Sequence, residues 1–485
     1  MIQFEHISNF SGVTLIIMGM LMATGVPVSL VMESGDHWAL IGSSVITIAV
    51  GASLWYYKFS TAGTLTRREA YFSVFFTWVM MSLASTLPYV LTGTLDSWAD
   101  IIFEAVSGIT TTGATIMEDI ESMPEGLLYW RSMTQWIGGM GIILLGLAIF
   151  PMLGMGGAEL FVAENSGNLA DRIHPRVKEI AKWLWIIYLG MTAALFGILW
   201  LAGMGWYDAI NHAYTTLATG GFSTKNDSVG YWDLPAIQYP IILFMILSGV
   251  NYSVLYMGFS GKLKRFVRDE EVRWYAAMLV GLTALVFILL MLLNHNSSGL
   301  EKTFRDALFQ VTSILTTTGY ATADYTAWTP ALTMIFFIMF FSGACSGSTS
   351  GSIKLMRHIL FLKNTVLEFK RIIHPRAIIP VKLNGKTVKG KTMTNIIIFL
   401  LIHIFLLVFG IIFISFFGID FQTNFGIVGS AINNIGPALG SAGPADNYAH
   451  FPGAVKVFLA FYMLLGRLEL FTVLVIFTPY FWRRN

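Results

Sequence analysis

The chain has 485 residues, 55% hydrophobic and 12% charged, with a formal net charge of +2 and a mean hydropathy of +0.66. That composition excludes a soluble globular protein and reads as an all-α polytopic membrane protein. The single cysteine, Cys345, excludes an internal disulfide, carries no metal or redox signal, and reads as a small buried apolar residue.

Crossing a bilayer takes about 20 apolar residues, and ten stretches qualify: 12–32, 38–57, 72–92, 132–153, 183–205, 236–258, 274–293, 331–360, 395–417 and 453–480. The first lacks the basic start and small-residue cleavage site of a removable signal, so it reads as a retained span. Residues 1–70 hold two spans and a basic turn, an appended transmembrane hairpin. From there one pattern recurs in 71–160, 161–265, 266–365 and 366–485: a span, a short helix-length segment, a glycine motif, a polar return and a second span. The approaches Trp98-Ala99-Asp100, Trp206-Tyr207-Asp208, Phe304-Arg305-Asp306 and Gln422-Thr423-Asn424 carry Asp or Asn suited to capping the short helices.

The four motifs are Thr110-Thr111-Thr112-Gly113-Ala114-Thr115, Leu217-Ala218-Thr219-Gly220-Gly221-Phe222, Thr316-Thr317-Thr318-Gly319-Tyr320-Ala321 and Asn433-Asn434-Ile435-Gly436-Pro437-Ala438. Aligned on Gly113, Gly220, Gly319 and Gly436, they recur roughly every hundred residues. Each segment starts and ends on one side of the membrane and is therefore re-entrant. Non-helical backbone at that depth is tolerated only against protein or a water-filled pathway, so four such loops line a shared axis. Glycine lets successive carbonyls point one way, and threonine hydroxyls add oxygen ligands for a dehydrated cation. Small residues of this kind also pack helices closely. Four phased copies favour a filter.

Two interruptions stand out. The run Phe341–Ser352, with Gly343, Gly347 and Gly351, is too rich in Gly and Ser for a lipid-facing helix, so 343–352 reads as a flexible intramembrane loop under the filter, with a plain kink as the alternative. Its Gly347–Lys354 part lacks the Gly-Lys-Ser/Thr ending of a phosphate-binding loop. Arg467 lies well inside the last span, where insertion costs about 2.5–3.5 kcal/mol, so it faces a polar interior. At ~6 Å from a passing cation its repulsion is about 2.8 kcal/mol at an effective dielectric near 20. The alternative is a structural ion pair with a partner from elsewhere, since Glu469 sits on another helix face.

By the alternation of spans, 24 of the 30 Lys and Arg share one side, which the positive-inside rule makes cytoplasmic, with both termini inside. Ten of them fall between Lys354 and Lys391 and suit an anionic lipid or a partner. Acids including Asp96, Asp100, Glu104, Glu118, Asp119, Glu121 and Glu125 gather outside, where they concentrate cations at a mouth or simply make the loops polar.

Four linked span–pore loop–span units around a central pore, one glycine per filter, a glycine-rich break in the third unit and an arginine in the fourth resemble the Trk/Ktr/HKT superfamily over nearly the whole chain. The resemblance implies a potassium-selective, channel-like permease of the bacterial inner membrane. Its filter would comprise Thr111, Thr112, Gly113, Ala218, Thr219, Gly220, Thr317, Thr318, Gly319, Asn434, Ile435 and Gly436, with K+ the transported ion held by these residues and rubidium a permeant stand-in. The loop Gly343–Gly351 would be the gate and Arg467 the barrier beside it. Implied partners are a second copy of the chain and a TrkA-type cytoplasmic regulator, through which alone a nucleotide would act; no covalently bound cofactor and no nucleic acid are expected. In this family a serine at the first filter glycine goes with sodium permeability, and Gly113 goes with potassium. The fourth copy departs from the Thr-Gly pattern, which weakens fourfold ligand symmetry. Two rival classes stand beside this one: a proton- or sodium-coupled symporter, for which Glu469 is nearly the only intramembrane acid, and a hydrolase drawing on Ser342–Ser352 with His358 or His403, for which no nucleophile–base spacing is apparent.

Overall fold

A computed structural model describes residues 4–56, 66–148, 173–293 and 299–483. Residues 57 and 149–153 of two expected spans, the expected boundary at 160/161, and Lys58, Arg172 and Arg484 lie outside the described residues.

The described chain is predominantly helical. Six helices are long and apolar enough to cross a membrane, and two further pairs qualify as bent spans. Phe4–Ala23 and Gly25–Val31 together face His37–Tyr56 in an amino-terminal hairpin. Glycines let these helices touch: a Cβ on Gly12 would lie 2.7 Å from the Gly51 carbonyl oxygen, and one on Gly51 2.8 Å from the Gly12 oxygen. Close approach of this kind replaces the hydrophobic drive that lipid removes.

The span–short helix–span order then recurs four times. The leading helices are Arg67–Thr92, Ile173–Leu201, Glu270–Leu292 and Gly390–Ser415, and the short helices are Trp98–Ile109, Trp206–Leu217, Leu300–Leu315 and Phe421–Asn433. A Thr66/Glu69 capping box starts the first leading helix and left-handed Gly93 ends it. The short helices are capped differently from the sequence expectation: the N-caps are Ser97, Gly205, Gly299 and Asp420. Asp100, Asp208 and Asp306 fall inside the helices, where their carboxylates bind Lys456, Thr224 and Thr322 instead.

The second helices differ from one repeat to the next. Glu125–Ala148 is continuous. Pro235–Ser248 and Tyr252–Phe259 meet at 109° across Gly249–Asn251, and Gly453–Arg467 meets Leu470–Phe477 at 111°. The expected spans 236–258 and 453–480 are thus broken, the second immediately after Arg467. In the third repeat Pro330–Met339 and Leu355–Ile373 flank the Gly/Ser-rich segment. One small non-helical element was absent from the sequence reading: Lys382–Leu383 pairs with Lys386–Thr387 across Asn384-Gly385, both at positive φ as a tight hairpin turn requires. Helix Gly453–Arg467 packs on the first short helix, Trp98–Ile109, closing the four repeats into a ring.

Gly51→Leu is expected to overpack the amino-terminal hairpin at a cost of about 1–3 kcal/mol. Thermal unfolding of the purified protein in detergent should show a lowered midpoint, whereas Gly190→Leu, where a Cβ meets open space, should leave it in place.

Candidate functional site: a four-loop filter and the loop beneath it

A helix that ends inside a membrane leaves carbonyls with no water to bind. Each short helix here solves this in the same way. The N–H of Thr112 bonds the Ser107 carbonyl at 2.9 Å and that of Thr111 bonds Gly108 at 3.0 Å; Gly220/Thr215 with Thr219/Thr216, Thr318/Ser313 with Thr317/Ile314, and Ile435/Ser430 with Asn434/Ala431 repeat the pair. This is the Schellman ending, which needs a left-handed residue. Glycine usually supplies it. Here Thr111, Thr219, Thr317 and Asn434 do, at φ 53°, 51°, 56° and 54°. For a β-branched residue that conformation costs about 1–2 kcal/mol. Asn tolerates it, which gives the departure of the fourth copy from Thr a backbone reason.

The left-handed residues fix the register. Two positions on, Gly113, Gly221, Gly319 and Gly436 are again at positive φ, 82°, 78°, 83° and 98°. The second copy therefore aligns as Thr219-Gly220-Gly221, one residue later than Ala218-Thr219-Gly220, and Ala218 takes the helix-end position of Thr110 and Thr316. Adjacent glycines hid this in the sequence, where only the backbone tells which of them is left-handed. The four glycines line one open cavity together with Glu118, Asp446 and Lys225.

They also interlock around a circle. A Cβ on Gly113 would sit 2.1 Å from the Gly220 carbonyl oxygen, on Gly221 1.9 Å from that of Thr318, on Gly319 2.1 Å from that of Ile435, and on Gly436 2.7 Å from that of Thr112. Each repeat thus presses a carbonyl against the glycine of the one before. A side chain at any of the four positions would force the facing carbonyl to shift. Among the described residues the buried oxygens Thr111 Oγ1 and Asn434 Oδ1 have no hydrogen-bond partner, while Asn434 Nδ2 donates to Thr112 Oγ1 at 2.9 Å and to the Met463 carbonyl at 2.8 Å.

Residues to which the sequence analysis assigned no bracing role hold the ring. Glu104 is 0% exposed and pairs with Arg131 at 2.7 Å, so it is a brace rather than one of the outer acids at the mouth. Its carboxylate also accepts from the Ile116 N–H at 2.9 Å and from Thr115 Oγ1, while Arg131 donates to the Ser223 carbonyl at 3.0 Å and lies over the Phe222 ring. Loops one and two are joined through this pair. His212 and Gln310, at the matching distance before their left-handed threonines, bond Ser223 Oγ and the Ala323 carbonyl. The detectable signal was a polar residue seven positions ahead of the left-handed residue in three of the four short helices. At the rim, Asn226 Nδ2 donates to Asp119 Oδ1 and holds that carboxyl below its usual range.

Below the ring, the segment between Phe340 and Lys354 is bonded in from all sides. The Gly351 N–H donates to Thr317 Oγ1 at 2.6 Å, so the loop touches a left-handed threonine directly. Thr349 Oγ1 donates to the Leu217 carbonyl at 3.2 Å, and Ser352 Oγ to Asn433 Oδ1 at 3.0 Å. The Gly343 N–H closes on the Ile353 carbonyl at 2.9 Å, and Gly347, at φ 74°, passes Asn251. Cys345 is fully buried here. Arg467, 2% exposed, reaches the Thr349 carbonyl at 2.7 Å and the Gly138 carbonyl at 3.1 Å. Its hydrogen-bond partners are neutral; Glu469 pairs with Arg357 at 2.6 Å. A second cation, Lys354, bonds the Ser350 carbonyl of the same loop.

A family model described as TrkH, cation transport protein, matches residues 37–483. Among curated relatives, the Trk system potassium uptake protein TrkH of Salmonella typhimurium is 37% identical over 99% of this chain and 100% of its own length, and that of Escherichia coli K12 is 36% identical with the same coverage. The crystal structure of the potassium transporter TrkH from Vibrio parahaemolyticus superposes with a TM-score of 0.91 at 32% identity, covering 99% of this chain and 100% of that one.

Arg131→Leu leaves the buried Glu104 carboxylate without its counter-charge, and a loss of roughly 3–5 kcal/mol is expected. Thermal unfolding should show a large drop, part of which returns when Glu104→Gln is added to the same chain.

Proposed function

The chain belongs to the TrkH family of cation transport proteins, and from that premise we propose that it is a potassium-selective, channel-like permease that carries K+ into the cell. The observation that carries this reading is the ring of four left-handed glycines, each against the carbonyl of the next repeat. Carbonyl and threonine oxygens in closed rings replace the hydration shell of an alkali cation. The ligands are Thr111, Thr112 and Gly113; Thr219, Gly220 and Gly221; Thr317, Thr318 and Gly319; and Asn434, Ile435 and Gly436. The partnerless oxygens of Thr111 and Asn434 suit the same role, since a buried oxygen without a donor is costly unless something fills it. Outside, Glu118 and Asp446 on the cavity wall draw cations toward the ring.

The loop Gly343–Gly351 is the gate. It lies under the ring, bonded to Thr317, Leu217 and Asn433, and opening must break those bonds. Arg467 is the barrier. Neutral carbonyl partners leave its charge uncompensated, which a carboxylate partner would not. Because Arg467 holds the Thr349 carbonyl, displacement of the loop also breaks that bond and leaves the arginine on the Gly138 carbonyl alone. Glu104 and Glu469 are each paired with an arginine rather than turned to the ring, which supports passive over coupled transport. The protein works in the bacterial inner membrane with both termini cytoplasmic, as a homodimer. A TrkA-type regulator on the inner face senses the nucleotide and moves the gate.

Rubidium uptake into sealed vesicles carrying the purified protein, driven only by an internal potassium load, tests this. Uptake should follow the potassium gradient and ignore an imposed proton gradient; uptake driven by protons against the rubidium gradient would replace the channel with a symporter. Arg467→Ala should raise flux, on the order of a hundredfold if the full barrier is electrostatic, and wild-type flux would remove the barrier role. Gly113→Ser, which forces a Cβ onto the Gly220 carbonyl, should let external sodium compete more strongly.

A further inference from the structure

The four filter loops are alike in backbone and unlike in what holds them. In loops one, three and four a serine from the preceding short helix ties down the returning strand: Ser107 Oγ donates to the Ala114 carbonyl at 2.6 Å, Ser313 Oγ to Tyr320 at 2.7 Å, and Ser430 Oγ to Gly436 at 2.9 Å. In loop two the matching residue is Thr215, and its hydroxyl bonds the Tyr320 hydroxyl of loop three instead. Loop two therefore lacks the tie next to its left-handed glycine, and its own short helix holds the returning strand only further along, through His212 to Ser223 and Asp208 to Thr224. It also has glycine where the others carry Thr112, Thr318 and Ile435.

Gln135 fills both gaps. It stands on Glu125–Ala148, a helix of the first repeat, and is 0% exposed. Its Nε2 donates to the Gly220 carbonyl at 2.7 Å, and its Oε1 accepts from the Phe222 N–H at 3.1 Å. One side-chain amide thus brackets the left-handed Gly221. A Cβ on Gly220 would lie 2.3 Å from Gln135 Oε1 and 2.4 Å from its Cδ, so the missing side chain at 220 and the glutamine are complementary. The bonded carbonyl is also the one pressed against Gly113 in the ring. A carbonyl that already accepts a hydrogen bond gives less of its lone-pair density to a cation, and an amide at both edges keeps two consecutive glycines from re-orienting.

We infer that Gln135 is a positioning residue for ion discrimination, a side chain lent by the first repeat that fixes the Gly220 carbonyl of the second and sets the strength of one oxygen in the filter. This rests on the filter reading above. Without the amide, loop two keeps its double glycine but loses the tie, so its carbonyl can follow a smaller ion inward. Sodium gains.

The test is the external sodium concentration that halves rubidium uptake in vesicles, measured for wild type, Gln135→Leu and Gln135→Met, with thermal midpoints recorded alongside. Either neutral variant that folds with a near-wild-type midpoint should be inhibited by about fivefold less sodium, the factor that loss of one hydrogen bond commands. The pair Gln135→Ala with Gly220→Ala should transport better than Gly220→Ala alone, because the smaller residue makes room for the added methyl. Gly113→Ser separates the two layers of the argument. If it shifts sodium sensitivity while the Gln135 variants do not, or if the double variant is no better than Gly220→Ala, the role of Gln135 is overturned and the filter stands. If Gly113→Ser also leaves sodium sensitivity unchanged, the filter reading falls and this inference falls with it.

Discussion

Four short helices must end halfway through the membrane without leaving their carbonyls bare, and the rest of the protein is arranged around that demand. The Schellman ending meets it with two backbone bonds per helix, at the cost of one left-handed residue. Three of those residues are threonine, which resists the conformation. Strain of this kind persists only where the surroundings over-determine it. Here they do. Polar residues of the short helices hold the returning strands, and the Glu104–Arg131 pair joins two loops into one body. A glycine in place of each threonine would relieve the strain but remove the hydroxyl oxygens that an ion path can use.

The ring has fourfold backbone geometry and no fourfold chemistry. Position by position the left-handed residues are Thr, Thr, Thr, Asn, and the residues after them Thr, Gly, Thr, Ile. The differences are compensated across repeats. Asn434 donates to Thr112 of the first repeat, Tyr320 of the third bonds Thr215 of the second, and Gln135 of the first serves the second. Neighbouring repeats in one chain are free to diverge in pairs so long as the carbonyl circle closes. A tetramer of identical subunits has no such freedom.

The large features were legible because they rest on period and composition. Ten apolar stretches, four phased glycine motifs, the Gly/Ser-rich run and the arginine in the last span all stand in the sequence. What escaped depends on three-dimensional neighbours. Gly220 and Gly221 are indistinguishable until φ is known, and the bends at 249–251 and after Arg467 lie in stretches apolar enough to read as straight. Glu104 counted as an outer acid because nothing local announces that Arg131 lies behind it. Asp100, Asp208 and Asp306 resembled caps by spacing, yet the true N-caps stand a few residues earlier and the aspartates bind later parts of the chain.

The same logic of borrowed partners extends to the proposed gate. The segment below the ring is irregular, so its own N–H and C=O groups need partners at membrane depth. One comes from the ring, where the Gly351 N–H donates to Thr317 Oγ1, and the side-chain hydroxyls of Thr349 and Ser352 add bonds to the Leu217 carbonyl and Asn433 Oδ1. Arg467 in turn takes the carbonyl of Thr349, and Lys354 that of Ser350. The loop is therefore held by groups of the ring, and moving it would uncover those groups and break the bond from Arg467 to Thr349, leaving the arginine on the Gly138 carbonyl. A gate tied in this way is all-or-none in character, because half a displacement leaves polar groups unsatisfied on both sides. In the proposed gate the arginine would not pin the loop permanently, since its bonds run to neutral carbonyls that water in an opened pore could replace, whereas a buried carboxylate partner would cost several kcal/mol to separate.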